Sequence, residues 1–420
     1  MAALPSTPAT PPNTASGLND GAASRAVRSL GRRGLAVAAL ETFDNAPAFS
    51  SRWCQRAFVC PAPDASDAYL AYLEQLLGRL GACVFIASAD GTIALLRRHR
   101  ERMEQRGHIA LAKEAAMAIA VSKERTLNIA RRLGVGVPRS LVVRAADEVP
   151  AAVNEVGLPA VVKPSESWVG DGRQGRRVVS QVVATPDEAR RAVGELTRFG
   201  GVTLFQQLLS GRREAVSLLY ADGEIYARFA QWAKRTEPPL GGESVLRQSI
   251  AVPPDVGEQA EWLVREIDLE GYAEVEFRRD GAGRPYLMEI NPRLSASVEI
   301  AVRSGVDFPY LLYQWAKGGP IDKVEGYRVG GWMRHLKGDI MTTVAALQQR
   351  GRPAIPSPVE AVLGFVRSFL RPMGYDYFDW RDPLPAVRAT SGFARNSLRE
   401  AINGTVSRLG KNHSGAPRRI

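Results

Sequence analysis

"AEVEFRRDGAGRPYLMEINPR", residues 273–293, decides how the chain is read. Two apolar-alternating runs flank "DGAGRP", so the stretch predicts a β-hairpin. If the turn is centred on Ala282 and Gly283, facing positions sum to 565, and Glu276 stands opposite Glu289. Side chains alternate along a strand, so Glu274 shares the face of Glu276, and Leu287 and Asn291 share the face of Glu289. Val275, Phe277, Met288 and Ile290 are then expected to point the other way, into a core. Carboxylates placed directly opposite each other repel. A cation between them removes the repulsion, and two glutamates with an asparagine offer only oxygen ligands. That donor set suits Mg²⁺ or Mn²⁺ bridging the phosphates of a nucleotide. A solvated acidic face is the plainer alternative. Arg293 follows on the same face, where it could hold a transferring phosphoryl group or an acyl phosphate.

"PAVVKPSESWVGDGRQGRRVVSQVV" (159–183) carries G-x-G-x-x-G at Gly170, Gly172 and Gly175. A dinucleotide fingerprint needs a helix directly after its glycines, to hold the pyrophosphate at the helix N-terminus. Here "RRVVSQVV" comes next, β-branched and strand-like. The glycines therefore read as the tip of a long hairpin, able to fold its N–H groups over phosphates and to move as a lid. Lys163 lies on the apolar strand that enters this tip, where a lysine needs an anionic partner. A snorkelling lysine on an edge strand is the structural alternative.

Upstream, "GLAVAAL", "RAFVCPA" and "CVFIASAD" alternate with helical patterns such as "SDAYLAYLEQLLGRL", which predicts a doubly wound parallel sheet. Asp90 falls at the carboxyl end of such a strand, where ligands sit, although a helix N-cap uses aspartate equally well. "VTLFQQLLSGRREAVSLLYADGEIYARFAQWAKR" (202–235) reads as three strands. From about residue 300 the pattern is mostly helical. "PVEAVLGFVRSFLRPMGYDYF" holds an amphipathic helix expected to pack on the rest of the chain, and Asp376, Asp379 and Asp382 are read as turn N-caps.

Composition narrows the classes. The net charge of +11 lacks any aromatic-basic motif, so no nucleic-acid partner is expected. Cys54, Cys60, Cys83 and four scattered histidines show no zinc or disulfide spacing. No apolar run is long enough to span a membrane, and "MAALPSTPATPPNTASG" does not resemble a secretory signal; a cytoplasmic location is the expectation.

Taken together these residues resemble the ATP-grasp superfamily, in its carboxylate–amine ligase and carbamoyl-phosphate-synthase-like branch, over residues 24–320. The resemblance implies an α/β (α+β) ATP-grasp fold with an N-terminal Rossmann-like domain and a mostly helical C-terminal extension. The expected boundaries are a disordered leader over 1–23, the Rossmann-like domain over 24–115 and the ATP-grasp domain over 116–320. Within the last, a lid subdomain covers about 136–200 and a metal and nucleotide subdomain about 201–320; a helical extension (321–410) and a disordered tail (411–420) complete the chain. The family's first strand is expected to be missing, because "PNTASGLNDGAAS" has poor strand propensity.

The resemblance also implies roles. Glu276, Glu289 and Asn291 would be the metal ligands, and Lys163 and Lys123 would bind phosphates under Gly170, Gly172 and Gly175. In the hinge "FQQLLSGRREAVSLL", Gln207 would face the adenine amino group, the Leu208 and Leu209 backbone the adenine edge, and Glu214 the ribose. Lys234 and Arg247 would bind anions near the acceptor, and Arg293, Lys163 and Arg247 would carry catalysis. The implied reaction joins a small-molecule carboxylate to an amine through an acyl phosphate, with ATP and Mg²⁺ (or Mn²⁺), and a homodimer is a candidate assembly. A phosphotransferase acting on a small molecule and a nucleotide-binding scaffold without turnover are the rival readings.

Overall fold

The computed structural model describes residues 14–17, 20–81, 83–170, 175–198 and 200–395. Its first sheet is parallel, in the spatial order Cys54–Val59, Val37–Glu41, Thr14–Gly17, Val84–Ala87, His108–Ile109. Val37–Glu41 is buried along its whole length, as a strand covered on both faces must be. The helices Asp20–Arg32 and Ser66–Leu80 supply much of that cover, through Ala22, Ala26 and Leu30 and through Tyr69, Leu73 and Leu77. The sheet contains the first strand that the sequence was expected to lack. Thr14–Gly17 sits between two apolar strands and pairs with both, so ladder partners on each side override the weak propensity of "TASG". The leader expected over 1–23 is corrected accordingly.

A four-stranded antiparallel sheet comes next, in the order Gln181–Val183, Ala160–Pro164, Thr203–Gln207, Ser140–Val143. Val149–Val156 and Pro186–Thr197 cover one face of it, with Val162 and Phe205 in the shared core. The glycine stretch is a hairpin, Trp168–Gly170 against Gly175–Arg177, with Gly170 opposite Gly175. No helix directly succeeds it, so the dinucleotide reading fails as the sequence suggested. Gly172 lies outside the described residues.

The third sheet has seven strands, beginning at the acidic hairpin: Pro285–Asn291, Gly271–Arg279, Arg213–Ala221, Glu224–Glu237, Glu243–Ile250, Trp332–Arg334, Gly374–Tyr375. Its last two strands come from the region expected to be helical. The helices there are Leu336–Gln348, Pro358–Arg367 and 384–395. The Pro358–Arg367 helix does pack on the rest of the chain, but only Ala361 is buried; Val359, Val362, Leu363 and Val366 remain exposed. The tail over 411–420 lies outside the described residues.

A seam of ions ties the C-terminal segment to the first helix. Arg25 meets Asp376 at 3.2 Å, Arg28 meets Asp382 at 3.3 Å, and Arg32 meets Asp379. The three aspartates are therefore salt-bridge partners of one helix face, not merely turn caps.

Candidate nucleotide and metal site

The cleft lies between the four-stranded and seven-stranded sheets and encloses about 300 Å³. One wall presents Lys163 from the strand Ala160–Pro164. Lys123, the first residue of the helix Lys123–Arg132, enters beside it, positioned by a Ser122 cap that accepts from the Arg125 N–H at 3.4 Å. The opposite wall is the acidic hairpin. Its register pairs Glu276 with Glu289 and Glu274 with Asn291, as the turn symmetry predicts. Asn291 Nδ2 donates to Glu276 Oε1 at 3.2 Å, so the three expected metal ligands share one face.

The register then slips at a bulge. Phe277 pairs with Leu287, which leaves Met288 as the extra residue. This reverses two expectations. Leu287 is fully buried in the core, whereas Met288 lines the cleft with its Sδ 3.9 Å from Lys163 Nζ.

Charge is divided unevenly across the pair. Burial drives the Glu276 carboxyl upward, opposed by the Arg213 guanidinium, and Glu289 adds repulsion. Burial acts on Glu289 in the same direction, but Lys123 and Lys163 outweigh it and hold this carboxyl low. Lys123 Nζ lies 3.3 Å from Glu289 Oε2 and 3.2 Å from Ser167 Oγ. Burial lowers Lys163 to about 8, against the pull of Glu289. Each carboxylate thus leans on a cation from another element: Glu289 on lysines, Glu276 on Arg213, whose Nε donates at 3.0 Å.

Arg213 was missed in the sequence. It shares a face with Glu276, because Ala215 pairs with Glu276 and positions two apart on a strand point the same way. The same alternation corrects two hinge expectations. Gln206 and Gln207 both line the cleft. Gln206 pairs with Val161 and Leu204 with Lys163, so Gln206 shares the face of Lys163. Gln207 pairs with Ala160, on the side of the Phe205 core. The Gln206 Nε2 is buried and has no hydrogen-bond partner among the described residues. Glu214, expected at the ribose, is on the sheet face opposite Glu276, held by Arg212 at 2.9 Å and Arg279 at 2.8 Å. Leu208 and Leu209 do line the cleft, and Arg278 Nη1 ties down the Leu209 carbonyl at 3.0 Å.

Arg293 lies at the mouth of an adjoining cavity and donates to Asp90 Oδ1 at 2.5 Å. Asp90 begins the helix Asp90–Arg98, beside the switch point of the parallel sheet. Arg177 of the glycine hairpin approaches the same carboxylate at 3.8 Å. Trp168 packs over Gly91 and Gly175, where any Cβ would meet its ring at under 3 Å. The glycine hairpin therefore lies closed against the helix Asp90–Arg98, and Gly175 is required by the Trp168 contact. Gly170 accepts from Arg98 Nη2 at 3.4 Å.

Two expected anion binders are elsewhere. Arg247 is fully buried, bonded to Asp376 and to the Ser244 and Ser297 carbonyls, and does not line the cleft. The C-terminal segment covers it through Asp376. Lys234 lines a second cavity, beyond Leu240.

Comparison with known proteins bears on the fold and the family. The family described as "ATP-grasp in the biosynthetic pathway with Ter operon" matches residues 204–335. A D-alanine–D-alanine ligase of Chromohalobacter salexigens is 25% identical over 217 residues, 47% of this chain and 64% of that protein. The large chain of carbamoyl phosphate synthase from Methanoculleus marisnigri is 28% identical over 195 residues, 43% of this chain and 17% of that protein. The chain thus spans somewhat less than two thirds of the ligase it matches. In fold, it superposes on N5-carboxyaminoimidazole ribonucleotide synthetase in its ADP complex, with a TM-score of 0.60, 15% identity, and 86% and 97% of the two chains covered. It also superposes on the L-amino acid ligase of Bacillus licheniformis, with a TM-score of 0.55, 18% identity and 74% of each chain covered. Residues 204–335 thus match an ATP-grasp family, and the chain is similar in sequence to ATP-grasp carboxylate–amine ligases and carbamoyl-phosphate synthases and shares the fold of the two solved structures.

Proposed function

We propose that the chain is an ATP-dependent ligase that joins a carboxylate to an amine and releases ADP and phosphate. One observation carries the reading: Lys123 and Lys163 converge on Glu289 from one wall of a cleft whose other wall presents Glu276, Glu289 and Asn291. Two lysines suit the phosphates of ATP, and the donor set suits Mg²⁺. The fit is supported by the buried Glu276 and the half-buried Glu289 opposite it, with opposed protonation tendencies, a strain that a divalent cation relieves. When bound, Mg²⁺ neutralises charge on the phosphates.

The chain's own residues do the rest. Lys163 and Lys123 hold the phosphates, and the hinge backbone at Leu208 and Leu209 takes the adenine edge, with the Gln206 Nε2, which has no partner among the described residues, beside it. A substrate carboxylate oxygen attacks the γ-phosphorus, the bond to the β-phosphate oxygen breaks, and ADP leaves. Arg293 steadies the acyl phosphate. An amine then attacks the carbonyl carbon, phosphate departs and the amine loses a proton. Closure of the glycine hairpin by Trp168 keeps water from the acyl phosphate.

The test is phosphate release by the purified protein with Mg-ATP, across carboxylates with and without amines, beside Glu289→Gln. Release that needs both an acid and an amine and is lost in the variant supports the ligase. Release that needs no amine and leaves a stable phosphorylated product makes the protein a phosphotransferase. ATP binding with no release across the panel rejects the ligase for those substrates.

A further inference from the structure

A second cavity, of about 330 Å³, shares with the nucleotide cleft the wall formed by Arg213, Pro239, Leu240 and Arg278. Its far side is formed by Thr342, Thr343 and Ala361, from the two helices Leu336–Gln348 and Pro358–Arg367. The volume is that of a small-molecule site. Arg212, Arg213, Lys234, Arg235 and Arg278 line it, and no carboxylate does among the described residues.

Three of these cations are neutralised from outside the cavity: Arg212 by Glu214, Arg213 by Glu276 and Arg235 by Asp339. Two are not. Among the described residues Arg278 donates only to the Leu209 and Leu240 carbonyls, and Lys234 has no hydrogen bond or ion pair. Burial pushes Arg278 down to about 10, and burial with Arg371 and Arg235 nearby lowers Lys234. An anion joining them offsets the cost of the buried Arg278 charge, and the exposed Lys234 beside it adds to the attraction. Beside them stands an apolar wall formed by Leu240 and Pro239. The Trp232 indole N–H is spent on Gln248 at 3.0 Å, and the Arg212 guanidinium lies over its ring at 4.6 Å.

We infer that this cavity is a second ligand site, for a small organic anion whose phosphate or carboxylate meets Lys234 and Arg278 while its apolar part lies against Leu240 and Pro239. The site uses none of Lys123, Lys163 or Glu289, so it stands apart from the nucleotide reading. Through Arg213, which lines both cavities and bonds Glu276, an occupant touches the residue that anchors one carboxylate of the acidic hairpin.

Phenyl phosphate is the probe, monitored by saturation-transfer NMR on the full chain with excess Mg-ADP present. Binding should persist under Mg-ADP, weaken at least tenfold in Lys234→Glu, and weaken likewise in Thr343→Phe, which narrows the cavity. Lys234 is exposed, so its reversal leaves the fold intact. Absence of phenyl phosphate binding, competition by Mg-ADP, or equal binding by Lys234→Glu overturns the inference. If the nucleotide reading itself fails, Mg-ADP has no effect on the probe, and Lys234→Glu still decides.

Discussion

Lys163 gives the sharpest prediction, because its charge is marginal by construction. Burial holds the free lysine near 8, so a nucleotide meets a charged Lys163 at pH 7 and a mostly neutral one at pH 9. A single proton with that midpoint is bound in about nine-tenths of molecules at pH 7 and about one-tenth at pH 9. If only the charged form binds phosphate well, the Kd of Mg-ADP weakens about tenfold over that interval, or about 1.4 kcal/mol. The sign for folding is opposite. A lysine whose pKa is lowered in the folded chain costs stability while charged, and that cost is relieved as pH rises from about 8 toward the unfolded value. The free chain should therefore gain from this residue in the same window where it loses nucleotide. The assay is calorimetric titration with Mg-ADP at pH 7, 8 and 9 in two buffers of different ionisation enthalpy, beside Lys163→Met. Close to one proton should be taken up per ADP at pH 9, and the variant should bind weakly with a flat profile. A wild-type Kd unchanged from pH 7 to 9, or a variant that keeps the slope, refutes the reasoning.

Other consequences can be checked separately. Gln206→Leu should weaken ATP more than Gln207→Leu, because the Gln206 Nε2 lies buried on the face of Lys163 with no partner among the described residues; equal effects would reject the strand alternation used here. Asp376→Asn should lower stability by about 3 to 5 kcal/mol, read from chemical unfolding, since it strands the buried Arg25 and Arg247. Those arginines hold Asp376 below the usual carboxylate range despite its burial. Wild-type stability should therefore fall as pH drops through that range, and Asp376→Asn should flatten the acid limb.

The acidic hairpin was legible because strand alternation and a symmetric turn fix its register from "EVEF" and "MEIN" alone. The reading failed at Leu287 and Met288, where a bulge inserts one residue; nothing in "PYLME" marks it. The glycine hairpin was legible from the β-branched run "RRVVSQVV", which cannot start the helix that a dinucleotide loop requires. The first strand was not legible, since Thr14–Gly17 owes its conformation to the neighbours on either side. Gln207 and Glu214 were assigned by motif position, whereas the pleat of their strands decides which side each occupies. Arg247 and Lys234 show a different limit. Each is on the expected strand, but the cover over Arg247 comes from Asp376, over a hundred residues away in the chain. Long-range ion pairing leaves no local pattern, even when three arginines and three aspartates recur at helical and turn spacing.

The central claim is that the cleft binds nucleotide through a cation held on the acidic hairpin. Equilibrium binding of ADP with and without Mg²⁺, to the wild type and to Glu289→Gln, tests it most directly. Mg²⁺ should tighten ADP binding to the wild type at least tenfold and leave the variant nearly unchanged. Equal Mg²⁺ enhancement in both proteins, or no ADP binding by the wild type, would contradict the account.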